Sequence, residues 1–225
     1  MTDAHCHVSC GDPAIRELLV GRDFFGVHPW EAEGWRGDAG DLAAWLRAKI
    51  GPDPGDSGAR LPGVGEIGLD RLKTRDVSPR MREVFEVQLN VALEWSRPVV
   101  LHGAKCWGQV VKAIKDRDRR TAFLFHGFSR SDGLLPAIAA LNGYVSVGPA
   151  VLNDHAVNYR ALVKKIPLDR LLVETDRTPE NAADCPSVVD VAAKVASLRG
   201  LSADGLAAQT DRNADAFLQA CAGAT

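Results

Sequence analysis

Short apolar runs alternate with amphipathic stretches along the whole of this 225-residue chain. This alternation, more than any other feature, restricts the fold. The runs at 1–5, 23–27, 63–67, 98–101, 122–125, 144–147 and 170–173 read as strands. Helices are expected at 13–20, 41–50, 79–95, 107–116, 133–141, 156–166, 187–199 and 203–220. In the 79–95 segment Val84, Val87, Val91 and Trp95 share one helical face. Asp41 and Ser202 sit where capping residues belong, and Gly51 to Gly58 reads as a surface loop. Repeated strand–helix units imply a parallel sheet covered on both faces. Seven strands leave two choices, an open doubly wound sheet or a TIM-type (β/α) barrel. Periodicity alone does not choose between them.

The positions of the chemically active residues do choose. Of the six histidines, His5, His7, His28, His102 and His126 lie at or just beyond the C-terminal end of an expected strand. Glu66 and Asp176 occupy the same place on two others. In a parallel barrel all C-terminal strand ends converge on one mouth, where catalytic groups sit. An open sheet would spread them along an edge. His5 and His7 are two apart, so a strand aims both imidazoles at one point. Imidazole and carboxylate together suit divalent cations, and Zn²⁺, Mn²⁺ or Fe²⁺ better than Mg²⁺ alone. The alternative is a set of core or surface histidines and a salt-bridged Glu66. Glu66 lies between Gly65 and Ile67-Gly68, and its two oxygens can hold one cation each. Asp176 is the expected general base, because a carboxylate beside a cation can take a proton from water. Glu174, two residues earlier, is expected one layer deeper as support. His155, at an expected helix start, reads as an ordinary residue.

Composition narrows the classes further. With 46% apolar and 25% charged residues, one ordinary globular domain spanning 1–225 is expected. No apolar run approaches the length that spans a bilayer. The start MTDAHCHV has no basic region before an apolar stretch, and five scattered cysteines do not form a disulfide framework. A cytoplasmic location is therefore expected. The net charge of −2 argues against coating nucleic acid by bulk electrostatics. It does not exclude handling a nucleic-acid end at a cation site.

Asp3-Ala-His-Cys-His7, Gly26-Val-His-Pro-Trp30, Gly65-Glu-Ile-Gly-Leu-Asp70, Arg97-Pro-Val-Val-Leu-His102, Phe125-His-Gly-Phe-Ser129, Tyr144-Val-Ser-Val-Gly148 and Glu174-Thr-Asp176 resemble the TatD family of metal-dependent hydrolases. Asn213-Ala-Asp-Ala-Phe217 resembles that family's closing helix. The resemblance implies a TIM-barrel enzyme of the amidohydrolase superfamily with one to three divalent metals (Zn, Mn or Mg). It implies deoxyribonuclease activity, often from a 3′ end, by in-line attack of activated water on a phosphodiester. By the same resemblance His5, His7, Glu66 and Asp176 hold one cation, and Glu66, His102 and His126 a second. His28 lines the pocket near the scissile phosphate. With Asp176 and Glu66 it completes the expected catalytic set.

Departures from the family pattern qualify this. Only 20 residues separate His7 from His28, room for one helix and one strand, where relatives commonly carry a further strand–helix unit. The barrel is therefore expected to be seven-stranded or imperfectly closed, with one βα unit missing and a strand edge left unpaired near the start. The rim segments Gly103-Ala-Lys-Cys-Trp107 and Arg177-Thr-Pro179 also differ from the relatives' usual pattern. Lys105, Arg130 and Arg177 are phosphate contacts or solvated rim charges. Trp30 and Trp107 stack on a base or pack in the core, and Phe128 reads as core. The leading reading is a nuclease acting on a DNA end. A second is a related hydrolase of another ester or amide, such as an aminoacyl-tRNA ester, a cyclic amide or a small phosphoester. A third is a shortened subunit that works with a protein partner in a larger, defence-type complex.

Overall fold

The apolar runs form parallel strands, and those facing the middle of the molecule are buried along their full length. The computed structural model describes residues 1–51, 61–117, 121–129 and 131–219. All of the expected 51–58 loop except Gly51, together with Arg130 and Cys221, lies outside them. The strands are β1 (Thr2–Cys6), β2 (Arg16–Leu19), β3 (Phe24–Phe25), β4 (Gly63–Asp70), β5 (Val99–Ala104), β6 (Phe123–Phe125), β7 (Gly143–Val147) and β8 (Leu171–Val173). The helices are α1 (Ala39–Ile50), α2 (Pro79–Glu94), α3 (Trp107–Ile114), α4 (Leu135–Ala140), α5 (Val157–Lys165), α6 (Val188–Arg199) and α7 (Ala203–Gln219).

Strands β3 to β8 make one parallel sheet in chain order, and β1 pairs with β2 in a second. The two join thinly. The Val20–Phe24 bridge links β2 to β3. Just past the strand ends, Asp176 N–H donates to His5 O (3.0 Å) and His7 N–H to Arg177 O (2.8 Å), linking β8 to β1. The result is an eight-strand ring, a TIM-type barrel incompletely stitched at two seams.

Two expectations change here. The 13–20 stretch holds strand β2 rather than a helix, so the count of seven gives way to eight. A helix of eight residues has little stability of its own. Pairing with β1 also places Leu18 fully inside the barrel, while Ser9 and Cys10 hold the Glu17 carboxylate on the other face. What this chain lacks is a helix on each of the first two crossovers, residues 7–15 and 20–23. The β2 edge exposed by that shortening is met by its own side chains. Asp23 accepts the Leu19 N–H (2.9 Å), and Arg22 donates to the Glu17 carbonyl.

Helix α7 closes the N-terminal end of the barrel. Its Phe217 stacks on Phe24 (ring centroids 6.0 Å apart) and meets Tyr144 edge-on (5.7 Å). Ala4, Leu18, Val100, Leu124 and Leu172 complete this floor. A second, larger core lies between the sheet and its outer helices. Asp38, rather than Asp41, caps α1, and Asp41 returns the bond from the third position. Ser202 caps α7 through Gly205 N–H, as expected. Among the described residues, no helix is long and apolar enough to cross a membrane.

Candidate metal centre

Each strand end delivers its side chain to the mouth opposite that floor. On β5, Val100 points into the floor, and two residues on His102 points at the mouth. Leu124 and His126 repeat this on β6, and Leu172 and Glu174 on β8. The strand period thus turns a row of apolar plugs into a row of polar groups.

Glu66 is the hub. It is 3% exposed, and its two oxygens face different partners. Oε2 lies 3.3 Å from His5 Nε2 and 3.6 Å from His7 Nε2. Asp176 Oδ1 lies 3.8 and 3.5 Å from the same two nitrogens. Oε1 lies 2.5 Å from His102 Nδ1, 2.6 Å from His126 Nε2 and 3.4 Å from His28 Nε2. The expected first set, His5, His7, Glu66 and Asp176, is therefore brought together. The expected second set, Glu66, His102 and His126, is also assembled, and His28 joins it more closely than a pocket-lining role required.

This donor set fits divalent cations, on two observations. First, His5 is fully buried, and neither ring nitrogen has a hydrogen-bond partner among the described residues. A buried orphaned polar group is costly unless something else engages it. Second, His102 lies between two carboxylates, Nε2 3.0 Å from Asp70 Oδ2 and Nδ1 2.5 Å from Glu66 Oε1. A neutral imidazole carries one proton and can donate to only one of them, and a cation shared by Nδ1 and Glu66 would serve the other. Three donor triplets satisfy metal-site proximity: His5–His126–Asp176, His5–His7–Glu66 and His28–Glu66–His102.

The electrostatics agree. Burial pushes Glu66 up, but the imidazoles of His126, His102 and His28 outweigh it and hold the carboxyl well below its usual range. Hydrogen bonds to Asp176 and Glu66 push His7 up to about 9. Behind the mouth, the Glu174 carboxylate accepts from Gly127 N–H (2.7 Å) and the Ser146 hydroxyl, and lies 3.5 Å from His126 Nδ1. Asp3 accepts Thr175 N–H (2.9 Å) and Oγ1–H (2.6 Å), pinning β8 to β1. Burial drives Asp3 up to about 7 against those bonds.

A family model described as TatD-related DNase matches residues 21–219. The chain belongs to the TatD family. It is 29% identical over 211 residues to the metal-dependent hydrolase YabD of Bacillus subtilis, covering 88% of this chain and 79% of that one. It is 27% identical over 202 residues to the 3′-5′ ssDNA/RNA exonuclease TatD of Dickeya dadantii, covering 84% and 73%. The solved structure of YjjV, a TatD homologue from Escherichia coli, superposes with a TM-score of 0.67 at 25% identity, covering 92% of this chain and 78% of that one. As a member of the TatD family the chain is a metal-dependent hydrolase acting on ester bonds.

Around the centre of this TatD-family enzyme, the expected rim residues divide. Trp30 stays 50% exposed at the mouth, its indole N–H donated to Asp70 Oδ2 (2.7 Å). Lys105 is exposed, with φ +56°, and lines a groove of about 750 Å³ that reaches His102, His126 and Asp176. Trp107 is corrected to core: it is 6% exposed and packs on Phe125 and Phe128. The indole lies against Gly103, where a Cβ would come within 2.1 Å of it. Arg177 is corrected to a loop pin, because its guanidinium donates to Ala182 O (2.7 Å) and Cys185 O (3.2 Å). A second groove, of about 1100 Å³, runs from Asp176 past Tyr159, His155 and Lys165. Asp70 went unassigned in the sequence, although it shares a strand face with Glu66 at period two. That spacing was the signal available.

Proposed function

We propose that this enzyme hydrolyses phosphodiester bonds at an end of single-stranded DNA, as one barrel domain spanning residues 1–225. The observation that carries the reading is the division of Glu66, with one oxygen to His5 and His7 and the other to His102, His126 and His28. This suits two neighbouring cations. His5, His7, Glu66 and Asp176 would hold one; Glu66, His102 and His126, with His28 beside them, would hold the other. Bound divalent cations supply Lewis acidity, which acidifies water and neutralises phosphodiester charge. Zn²⁺ or Mn²⁺ matches the imidazole-rich set.

The chain's own groups do the rest. Asp176 has a half-exposed side chain where the two grooves meet. Burial pushes its carboxyl up, but His7, His126 and His5 outweigh that and lower it, so it is ionised and ready to accept the proton of attacking water. His28 stands at the mouth beside Trp30, with Nε2 3.4 Å from Glu66 Oε1, and would lie next to a phosphodiester bound at the centre. Asp70 and Glu174 hold His102 and His126 in orientation. The named exonuclease relative supports a nucleic-acid substrate.

The test uses metal-loaded protein and end-labelled single-stranded DNA. A ladder of shortening strands is expected, absent after chelation and absent in Glu66→Gln. Intact DNA at stoichiometric bound metal overturns the nuclease reading in favour of another ester.

A further inference from the structure

The loop after β4 carries a cation at every second position, Arg71, Lys73 and Arg75, in a chain whose net charge is −2. All three are exposed. Among the described residues, the side chains of Arg71 and Arg75 make no ion pair or hydrogen bond. The Lys73 ammonium lies over Trp30, 3.8 Å from the ring centroid. The same loop holds Leu72 60% exposed, and Asp70, which accepts the Leu72 N–H, also accepts the indole N–H of the half-exposed Trp30. Arg71 N–H donates to Ala104 O (2.9 Å), which brings the loop beside Lys105, a fourth cation without a partner among the described residues. Leu72 and Lys105 line the groove that ends at His102, His126 and Asp176.

A single buried carboxylate organises this surface. Asp70 is 1% exposed. Its Oδ1 accepts the N–H groups of Leu72 (2.6 Å) and Lys73 (2.8 Å). Its Oδ2 accepts the Trp30 indole and lies against His102. The loop, the aromatic and a ligand-type imidazole are therefore set by one group.

We propose that residues 71–76, with Trp30 and Lys105, form the track that holds the unpaired nucleotides of a single-stranded nucleic acid while its end occupies the metal centre. The proposal rests on the nuclease reading and names where the strand lies. Free cations meet successive phosphates, and exposed apolar surface between them meets bases. The larger groove does not suit a polyanion. Beyond Asp176, which lines both grooves, it adds Asp132 and Glu174, and its Lys165 is already paired with Asp132 (2.5 Å).

The experiment measures KM for cleavage of labelled dT15 by the holoenzyme between roughly 50 and 200 mM salt. It compares wild type with Arg71→Ser/Lys73→Ser/Arg75→Ser. A control, Lys112→Ser/Lys115→Ser/Lys164→Ser, removes equal charge from exposed positions elsewhere. Each lost phosphate contact removes about 0.7 from the log–log salt slope. The loop variant should lose about 2 from that slope and raise KM at least tenfold at 50 mM salt, on the order of the salt effects known for such contacts. Its metal content per chain should stay at the wild-type value, and the control's slope should stay with wild type. A loop variant that matches the control in KM and slope overturns the track while leaving the nuclease reading standing. Wild type that fails to cleave dT15 at full metal occupancy overturns the nuclease reading, and the track with it.

Discussion

Replacing Asp70 by Asn changes almost no volume but removes the charge on which three features hang. The wild-type carboxylate takes four bonds: Leu72 N–H at 2.6 Å, Lys73 N–H at 2.8 Å, Trp30 Nε1–H at 2.7 Å and His102 Nε2 at 3.0 Å. Burial opposes ionisation here, but these partners outweigh it and hold the carboxyl well below the usual range. An Asn can keep its oxygen on the loop amides only by turning its NH₂ on Trp30 and His102, donor against donor. Two hydrogen bonds to a charged group are lost, each worth about 1.5–3 kcal/mol. Part returns through relaxation at the half-exposed indole, leaving about 2–4 kcal/mol. For a chain of this size 1 kcal/mol moves Tm by about 2–4 °C, so Tm should fall by about 8 °C. His102 also loses its orienting partner, which should weaken metal affinity about 10- to 100-fold. Thermal melts of the apo and loaded forms, with calorimetric Mn²⁺ titration, separate the two effects. An Asp70→Asn variant that binds Mn²⁺ as tightly as wild type refutes the claim that Asp70 positions His102, whatever its Tm.

Two further outcomes follow from the same geometry. The pKa of His7 is pushed up to about 9 by hydrogen bonds to Asp176 and Glu66, so the metal-free protein carries that proton at pH 7 and a cation must displace it. Metal affinity should therefore rise as pH climbs from about 6 toward 9, with proton release visible as a buffer-dependent binding enthalpy; affinity flat across that window contradicts the ligand set. Phe217→Ala opens the barrel floor between Phe24 and Tyr144. Urea unfolding should show a loss of about 3–5 kcal/mol at unchanged metal stoichiometry, whereas a loss below about 1 kcal/mol means that α7 does not plug the barrel.

Much of the centre was legible in the sequence for one reason. Parallel strands end on the same rim, so ligand-type residues at the ends of apolar runs converge regardless of the intervening chain. That rule covers His5, His7, Glu66, His102, His126 and Asp176, and the ordered motifs around them supplied the family. The residues that went astray were those whose state depends on what packs against them. Residues 13–20 have the composition of a short helix, yet β1 and the barrel floor claim Leu18 and draw the segment into a strand. Trp107 and Arg177 follow ligand-type strand-end residues just as the exposed Lys105 does. Only the aromatic pair Phe125–Phe128 and the carbonyls of Ala182 and Cys185 decide that the first two turn inward.

By itself, then, the amino-acid order placed ligand-type residues at strand ends and set the parallel architecture, because strand period and chain direction are local properties, while its ordered motifs carried the family resemblance and with it the hydrolase class. Tertiary structure alone decided that eight strands survive two missing helices, that His28 joins the Glu66 cluster, and that Asp70 ties the His102 imidazole to a basic loop. Those depend on hydrogen bonds and packing between segments far apart in the chain, and no local pattern encodes which partner a buried donor will find.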